Sequence, residues 1–229
     1  LNPYIYMQQS TGRRILVVSV ISLILGLPVL FGILLKNSKF GYHELPVYSS
    51  DELGIQVPYT IDSFSLIDQN GEIFTRDSVG DKIFISNFFF ASCPDVCPII
   101  NGHMKIASQK LENSTDVLFI SHTVDPYNDS VVVLREYADM FEVDDNQWKF
   151  LTGKKSTIYH LARDSYKAVI QEVPDTNNFI HSEKIMLIDK DFQVRGIYNG
   201  LKITEVMELI KDARFLLKTY KDNQRKEDE

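Results

Sequence analysis

Hydropathy divides the chain into two unlike parts. Ile15 to Leu35 is an uncharged run of 21 residues, bracketed by Arg13-Arg14 and Lys36. As a helix rising about 1.5 Å per residue it would span roughly 30 Å, the thickness of a bilayer hydrocarbon core. Gly26, Pro28 and Gly32 would weaken a soluble helix but are tolerated in a membrane span. No polar face interrupts the run, which argues against a buried core helix. A cleaved signal peptide is the nearer rival, yet its apolar region is normally shorter, and Ile33-Leu34-Leu35 offers no small-residue cleavage site. The pattern predicts an uncleaved anchor over 15–35. Positive charges nearly balance across it, with Lys36 and Lys39 on the far side. The terminal amine, and Glu44, Asp51 and Glu52 beyond, tip the orientation toward a cytoplasmic segment 1–14 and an exported remainder.

Residues 36–57 show no sustained periodicity and are expected to be a tether. From residue 58 the pattern becomes that of strands and helices. Phe64 to Ile67 and Glu72 to Thr75 flank Asp68-Gln69-Asn70-Gly71, a hairpin with an Asn-Gly turn. Ile83 to Phe90 suits a strand buried on both faces. A helix is expected near 98–111, a second central strand over Val117 to Val124, and a helix over 130–142 with Val132, Val133, Tyr137, Met140 and Phe141 as its apolar stripe. Trp148 to Leu151 predicts a short strand and Lys155 to Val169 a helix. Lys184 to Asp189 and Gln193 to Tyr198 predict a terminal hairpin. Ile203 to Tyr220 closes a domain of 58–220 as an amphipathic helix, with Ile203, Val206, Met207, Ile210, Arg214 and Leu217 as its rhythm. The charged tail 221–229 is expected to fray.

This order predicts an α/β domain of thioredoxin-like type, a central mixed sheet flanked by helices, behind an N-terminal transmembrane helix. Such sheets bind ligands at the carboxyl ends of central strands. Charge adds an asymmetry. Residues 1–39 hold four basic side chains and no acidic one, whereas the other 190 hold 20 basic and 31 acidic, a net of −11. That excludes the basic footprint of a nucleic-acid binder.

The two cysteines lie in Ser92-Cys93-Pro94-Asp95-Val96-Cys97-Pro98, directly after the first central strand. They cannot form a disulfide framework for a large domain, so they read as a redox or metal site. If both sat on one helical turn, positions i and i+4 would share a face, and the sulfurs could meet one metal ion or close into a disulfide. A helix start also favours thiolates. Two thiolates with an imidazole suit Cu(I) and can hold Cu(II); a structural zinc site would want a fourth ligand. Of five histidines, His181 is the strongest candidate, in a loop before Lys184 that would lie beside the cysteines in a thioredoxin-like fold. His122, at a strand end, is a second candidate to face the site. His103 lies six residues beyond Cys97 at a poor angle, and His43 and His160 read as solvated or structural.

Asn87-Phe88-Phe89-Phe90-Ala91-Ser92-Cys93-Pro94-Asp95-Val96-Cys97-Pro98, then Val124-Asp125-Pro126-Tyr127-Asn128-Asp129-Ser130, Leu151-Thr152-Gly153, and His181 with Ile185 to Asp189 behind it, form an ordered set. The set resembles the Sco/SenC copper chaperones of cytochrome c oxidase assembly over roughly residues 58–217. The resemblance implies one copper ion per chain, as Cu(I) or Cu(II), held by Cys93, Cys97 and His181 and delivered to the dinuclear copper site of an oxidase subunit. It implies exchange with other copper chaperones or thiol–disulfide reductants, and a single-pass protein of the inner membrane with its soluble domain outside the cytoplasm. Asp125 resembles the family's aspartate near the metal, supporting a ligand or docking a partner; a strand-end turn residue is the plainer reading. Asp95 is either a partner contact or a helix-start carboxylate. Lys184 departs from the family pattern, which has an apolar residue there.

The rival of another class is a thiol–disulfide oxidoreductase, with Cys93 as nucleophile and a redox-active Cys93–Cys97 disulfide. Three intervening residues rather than two count mildly against a general reductase. A peroxiredoxin would carry threonine at the position of Phe90.

Overall fold

The computed structural model describes residues 16–28, 45–52, 55–112, 114–168, 171–172, 179–180 and 183–227. The chain forms two compact units, 1–44 and 45–229. In the first, a helix α1 covers 16–28, with every side chain exposed. Among the described residues no helix is long and apolar enough to cross a membrane. Ile15 and residues 29–35 of the expected span, the expected cytoplasmic segment 1–14, and His43 lie outside the described residues.

The second unit begins with structure where the pattern suggested only a tether. Strands β1 (Ser49–Glu52) and β2 (Ile55–Pro58) pair antiparallel. The flanking backbone is stitched to a distant segment: Tyr48 N–H donates to Val194 O at 3.0 Å, and Arg195 donates to the carbonyls of Leu45 and Pro46. Main-chain and guanidinium bonds hold this stretch, which is why hydrophobic periodicity gave no sign of it.

β3 (Ser65–Ile67) and β4 (Ile73–Thr75) form the expected hairpin. Its loop differs from a two-residue Asn-Gly turn. Asp68 N–H bonds Glu72 O and Gly71 N–H bonds Asp68 O, leaving a three-residue loop in which Gly71 takes φ +80°. Asp68 Oδ1 accepts from the N–H groups of Asn70 and Glu72, and its other oxygen takes Lys149 Nζ at 2.8 Å. A short 3₁₀ turn at Arg76–Val79 leads to β5 (Ile83–Phe89).

Helix α2 (Val96–Leu111) follows, then β6 (Val117–Thr123), α3 (Val131–Met140) and β7 (Trp148–Leu151). β5 and β6 are buried at every position, as strands covered on both faces must be. α3 buries Leu134, Tyr137 and Ala138, while Val132 and Met140 point outward, so the expected stripe was rotated. Helix α4 (Lys155–His160) passes into a π-helical turn at Leu161–Ser165, ending before the expected Val169. The short pair β8 (Gln171–Glu172) and β9 (Phe179–Ile180) precedes β10 (Lys184–Ile188) and β11 (Val194–Asn199). Helix α5 (Ile203–Glu227) continues through most of the supposedly frayed tail. Lys, Arg, Gln and Glu are good helix formers, and Lys221 pairs with Asp116 while Arg225 pairs with Asp222.

The central sheet runs β11-β10-β5-β6-β7. β5, β6 and β7 are mutually parallel and β10 is antiparallel to both neighbours. This mixed sheet flanked by helices is the thioredoxin-like arrangement expected. The carboxyl ends of β5 and β6 lie together at one pole of the sheet. β10 begins at that same pole, since Ile185 pairs with Asn87 near the end of β5.

Candidate metal centre

The cysteine loop leaves β5 at that pole. Cys93 N–H donates to Phe90 O at 3.2 Å, closing a tight turn, and α2 starts only at Val96. Cys93 therefore lies before the helix rather than on its first turn. Cys93 Sγ is brought to the helix start by another route: Cys97 N–H, one of the helix's unpaired first donors, points to it at 3.5 Å. Pro98, third in the helix, needs no donor there, so the turn tolerates it. Both cysteines are present as thiols, Cys93 8% exposed and Cys97 1%. Burial pushes the Cys97 thiol far above its ordinary range, and the neighbouring Cys93 and the charge of Asp129 add to the shift. The pair is asymmetric: one sulfur accepts an N–H at a helix start, and the other is shut in behind it.

The backing of this loop includes a residue that sequence reasoning quoted without singling out. Asp129, 1% exposed, accepts Ala91 N–H at 3.0 Å and the Thr123 hydroxyl on the same oxygen. It ties the turn before Cys93 to the end of β6. Burial raises its carboxyl above the ordinary range, against the pull of those bonds. Asp125 is also buried, and it organises its own turn. Its carboxylate takes Asn128 Nδ2 at 2.7 Å, its carbonyl takes the N–H groups of Asn128 and Asp129, and its N–H donates to Thr123 Oγ1. Asp95 is exposed at the start of α2 and makes no side-chain cap bond.

Beneath α2 a buried polar chain crosses three strands. Asn87 Nδ2 donates to Asn101 Oδ1, Asn101 Nδ2 to Tyr137 Oη, Ser121 Oγ to Asn87 Oδ1, and Trp148 Nε1 to Ser121 Oγ. Asn101 stands one helical turn beyond Cys97.

The histidines separate clearly. His122 does not face the thiols; it is fully buried among Phe88, Phe64 and Tyr166, and burial lowers its pKa to about 3. His103 Nδ1 donates to Gly200 O at 2.7 Å, a bond that needs close approach of α2. A Cβ at Gly200 would lie 2.9 Å from Ile100 Cγ2. His160 bridges Asp164 and Asp62 on the surface. His181 lies outside the described residues. The chain around it is bounded by β9 before and by Glu183 after, whose carbonyl accepts Gly200 N–H at 2.7 Å. Among the described residues, no group of three or more His, Cys, Asp or Glu side chains could hold a metal ion. The described donor set is the sulfur pair, which suits a soft ion.

A mixed sheet with a CxxxC thiol pair where its central strand meets a helix defines a thioredoxin-like protein with a thiol site. The chain belongs to the SCO1/SenC family, whose profile matches residues 55–217. It is 30% identical over 158 residues to the SCO1 protein homolog of Bacillus subtilis, covering 68% of this chain and 82% of that one. Among solved structures it resembles BsSco, a member of the Sco family of cytochrome c oxidase assembly proteins, in which a disulfide switch has been identified. That likeness has TM-score 0.62 and 30% identity over 69% of this chain and 92% of the other. It also resembles Arabidopsis thaliana ScoI with copper bound, with TM-score 0.58 and 29% identity over 67% and 97% of the two chains.

Proposed function

We propose that this chain is a copper metallochaperone, not itself an enzyme, that carries one copper ion on Cys93, Cys97 and His181 and delivers it to the dinuclear copper site of a respiratory cytochrome c oxidase subunit. The observation that supports it most is the approach of Cys97 N–H to Cys93 Sγ at 3.5 Å, together with the interaction of the two thiols that, after burial, helps raise the Cys97 pKa. A monovalent copper ion is satisfied by two or three soft ligands, so two sulfurs need only one imidazole more. The segment carrying His181 enters β10 at the pole where the cysteine loop leaves β5. Asp125 keeps its turn folded beside the loop, and exposed Asp95 is the carboxylate available to a partner. The apolar run 15–35 serves as a single-pass inner-membrane anchor, with the domain on the extracytoplasmic side.

Copper titration of the wild type and of His181→Ala tests the reading. The variant should lose copper affinity by more than the roughly 10–100-fold that removal of an outer hydrogen-bond partner costs a metal site, while its thiol exchange stays intact. Full affinity in that variant would remove His181 from the site.

The asymmetry of the thiols favours a second reading, a thiol–disulfide oxidoreductase. Cys93 thiolate would attack a substrate disulfide and release one substrate thiolate. Cys97, deprotonated, would then displace the second sulfur, leaving a Cys93–Cys97 disulfide and a reduced substrate. Fast reduction of a disulfide substrate by a domain that never retains copper would put this reading first.

A further inference from the structure

The turn that joins β11 to α5 lies at the cysteine pole, since Asn199 pairs with Lys184 at the start of β10. It is braced from within: Asn199 Oδ1 accepts Leu201 N–H at 2.9 Å, and Asn199 N–H donates to Glu205 Oε2 at 2.6 Å. Gly200, inside this turn, is bonded in two directions. Its carbonyl accepts His103 Nδ1–H from α2 at 2.7 Å, and its N–H donates to Glu183 O, at the root of β10, also at 2.7 Å. Close packing follows the same lines. A Cβ at Gly200 would stand 2.9 Å from Ile100 Cγ2, 3.0 Å from Glu183 O and 3.1 Å from Ile185 Cγ1. Three segments therefore meet at one residue that has no side chain to part them. Burial does not ask for an imidazole at the half-buried position 103; what His103 adds is a donor that ties α2 to a fixed carbonyl.

The tie connects the two arms of the proposed metal site. His103 stands on the same helix as Cys97, six residues and so about 9 Å further along its axis. Glu183 follows His181 by two residues, so their Cα atoms are at most about 7.6 Å apart whatever path the chain takes between them. Pairing of β10 with β5 sets the register of the strand, and Asn101 holds α2 down on Asn87 and Tyr137. Neither fixes how closely the flank of α2 approaches the root of β10. That separation is left to the bond from His103 to Gly200 and the bond from Gly200 to Glu183. With apolar contact alone, the flank could slide at little cost, because dispersion is indifferent to register.

We propose that His103 is a positioning residue of the metal site: through Gly200 it sets the root of the His181 segment against the cysteine helix, so that copper meets sulfur and imidazole together. The inference rests on the ligand set proposed above. Its test is a double-mutant cycle on the full chain, with Cu(I) affinity read by competition against a colorimetric chelator. His103→Leu, with an unchanged circular dichroism spectrum, should weaken copper about tenfold, the low end of what an outer partner contributes to a metal site. His103→Asn, whose Nδ2 can stand in for Nδ1, should return affinity to within about threefold of the wild type. In a His181→Ala background, His103→Leu should cost nothing further, because it acts through that imidazole. Without metal, amide exchange at Gly200 should quicken in His103→Leu and stay as in the wild type in His103→Asn. Additive copper losses, full copper affinity in His103→Leu, or unchanged Gly200 exchange in that variant would each overturn the proposal. Should His103→Leu not fold, Gly200→Ala must push Ile100 or Glu183 O aside and should give the same copper loss; full affinity there would equally overturn it. Full affinity in His181→Ala sinks the ligand set and this role with it, whereas a loss there with none in His103→Leu sinks this role alone.

Discussion

Replacing His122 by Phe should make the domain resistant to acid. The imidazole is fully buried, stacked 5.2 Å from Phe88 with Phe64 and Tyr166 closing around it, and desolvation lowers its pKa to about 3. In the unfolded chain it titrates near its ordinary value of about 6.5. Between those values the unfolded state binds a proton that the folded state refuses, so stability falls as the pH drops from about 6.5 toward 3. Linkage puts the loss at about 1.4 kcal/mol at pH 5.5 and about 2.7 kcal/mol at pH 4.5. At pH 7 the substitution should be nearly neutral, within about 1 kcal/mol. It forfeits a weak bond to Tyr166 Oη at 3.3 Å and removes an Nδ1 that has no hydrogen-bond partner among the described residues. Urea denaturation, followed by the fluorescence of buried Trp148, should therefore give curves that nearly coincide at pH 7. At pH 4.5 the variant should be the more stable by about 2–3 kcal/mol. Parallel losses in both proteins between pH 7 and 4.5 would refute the reasoning.

Two further outcomes follow from buried carboxylates. Asp129→Ala orphans Ala91 N–H and the Thr123 hydroxyl and should cost roughly 2–4 kcal/mol in denaturant titration, whereas Asp129→Asn keeps an acceptor oxygen and should lose less. Because the Asp129 carboxyl is raised by burial, its favourable term is present below the ordinary carboxylate range and lost as the pH rises through its folded value. Asp129→Asn should thus gain on the wild type with rising pH. Lys149→Met should destabilise by roughly 2–4 kcal/mol at pH 7, since it strands buried Asp68. Burial pushes that carboxyl up, but Lys149 and two backbone N–H groups together hold it below the ordinary range. Its contribution is present above the ordinary carboxylate value and fades as the pH falls, so the gap between Lys149→Met and wild type should narrow on acidification.

Strands whose pattern was dictated by burial were legible in the sequence: Trp148–Leu151 begins and ends where expected, and β5 and β6 differ by one residue at their ends. Orientation was harder. Val132 and Met140 are apolar but exposed, so residue type alone pointed to the wrong face of α3. His122 had a usable signal that strand-end position obscured. Side chains alternate along a strand, Ser121 joins the polar chain under α2, and so the next residue must face the opposite, apolar layer. Asp129 had no such signal, because its partners lie on other segments, Ala91 being 38 positions away. The shared-turn picture of the cysteines failed for a local reason. The turn closed by Phe90 O delays the helix to Val96, and an N–H-to-sulfur bond replaces side-by-side display.

Two independent ties fix where the sulfurs sit. The loop that carries Cys93 is held from the β6 side through Asp129, whose single oxygen gathers a main-chain N–H and a hydroxyl. The helix that carries Cys97 is held from below through Asn101, one turn on, which is bonded at both ends of its amide. An all-apolar seam between α2 and the sheet would give similar burial energy but would let the helix slide or rotate at little cost, because dispersion is indifferent to register. A buried amide bonded at both ends, to Asn87 and to Tyr137, is not indifferent. Any axial shift leaves donors unpaired at roughly 1–3 kcal/mol each. A soft ion is bound only if both sulfurs are close together, and a disulfide forms only within a narrow range of geometry. Both chemistries therefore draw on the same rigid frame, and a polar seam under the helix supplies a register that hydrophobic packing cannot.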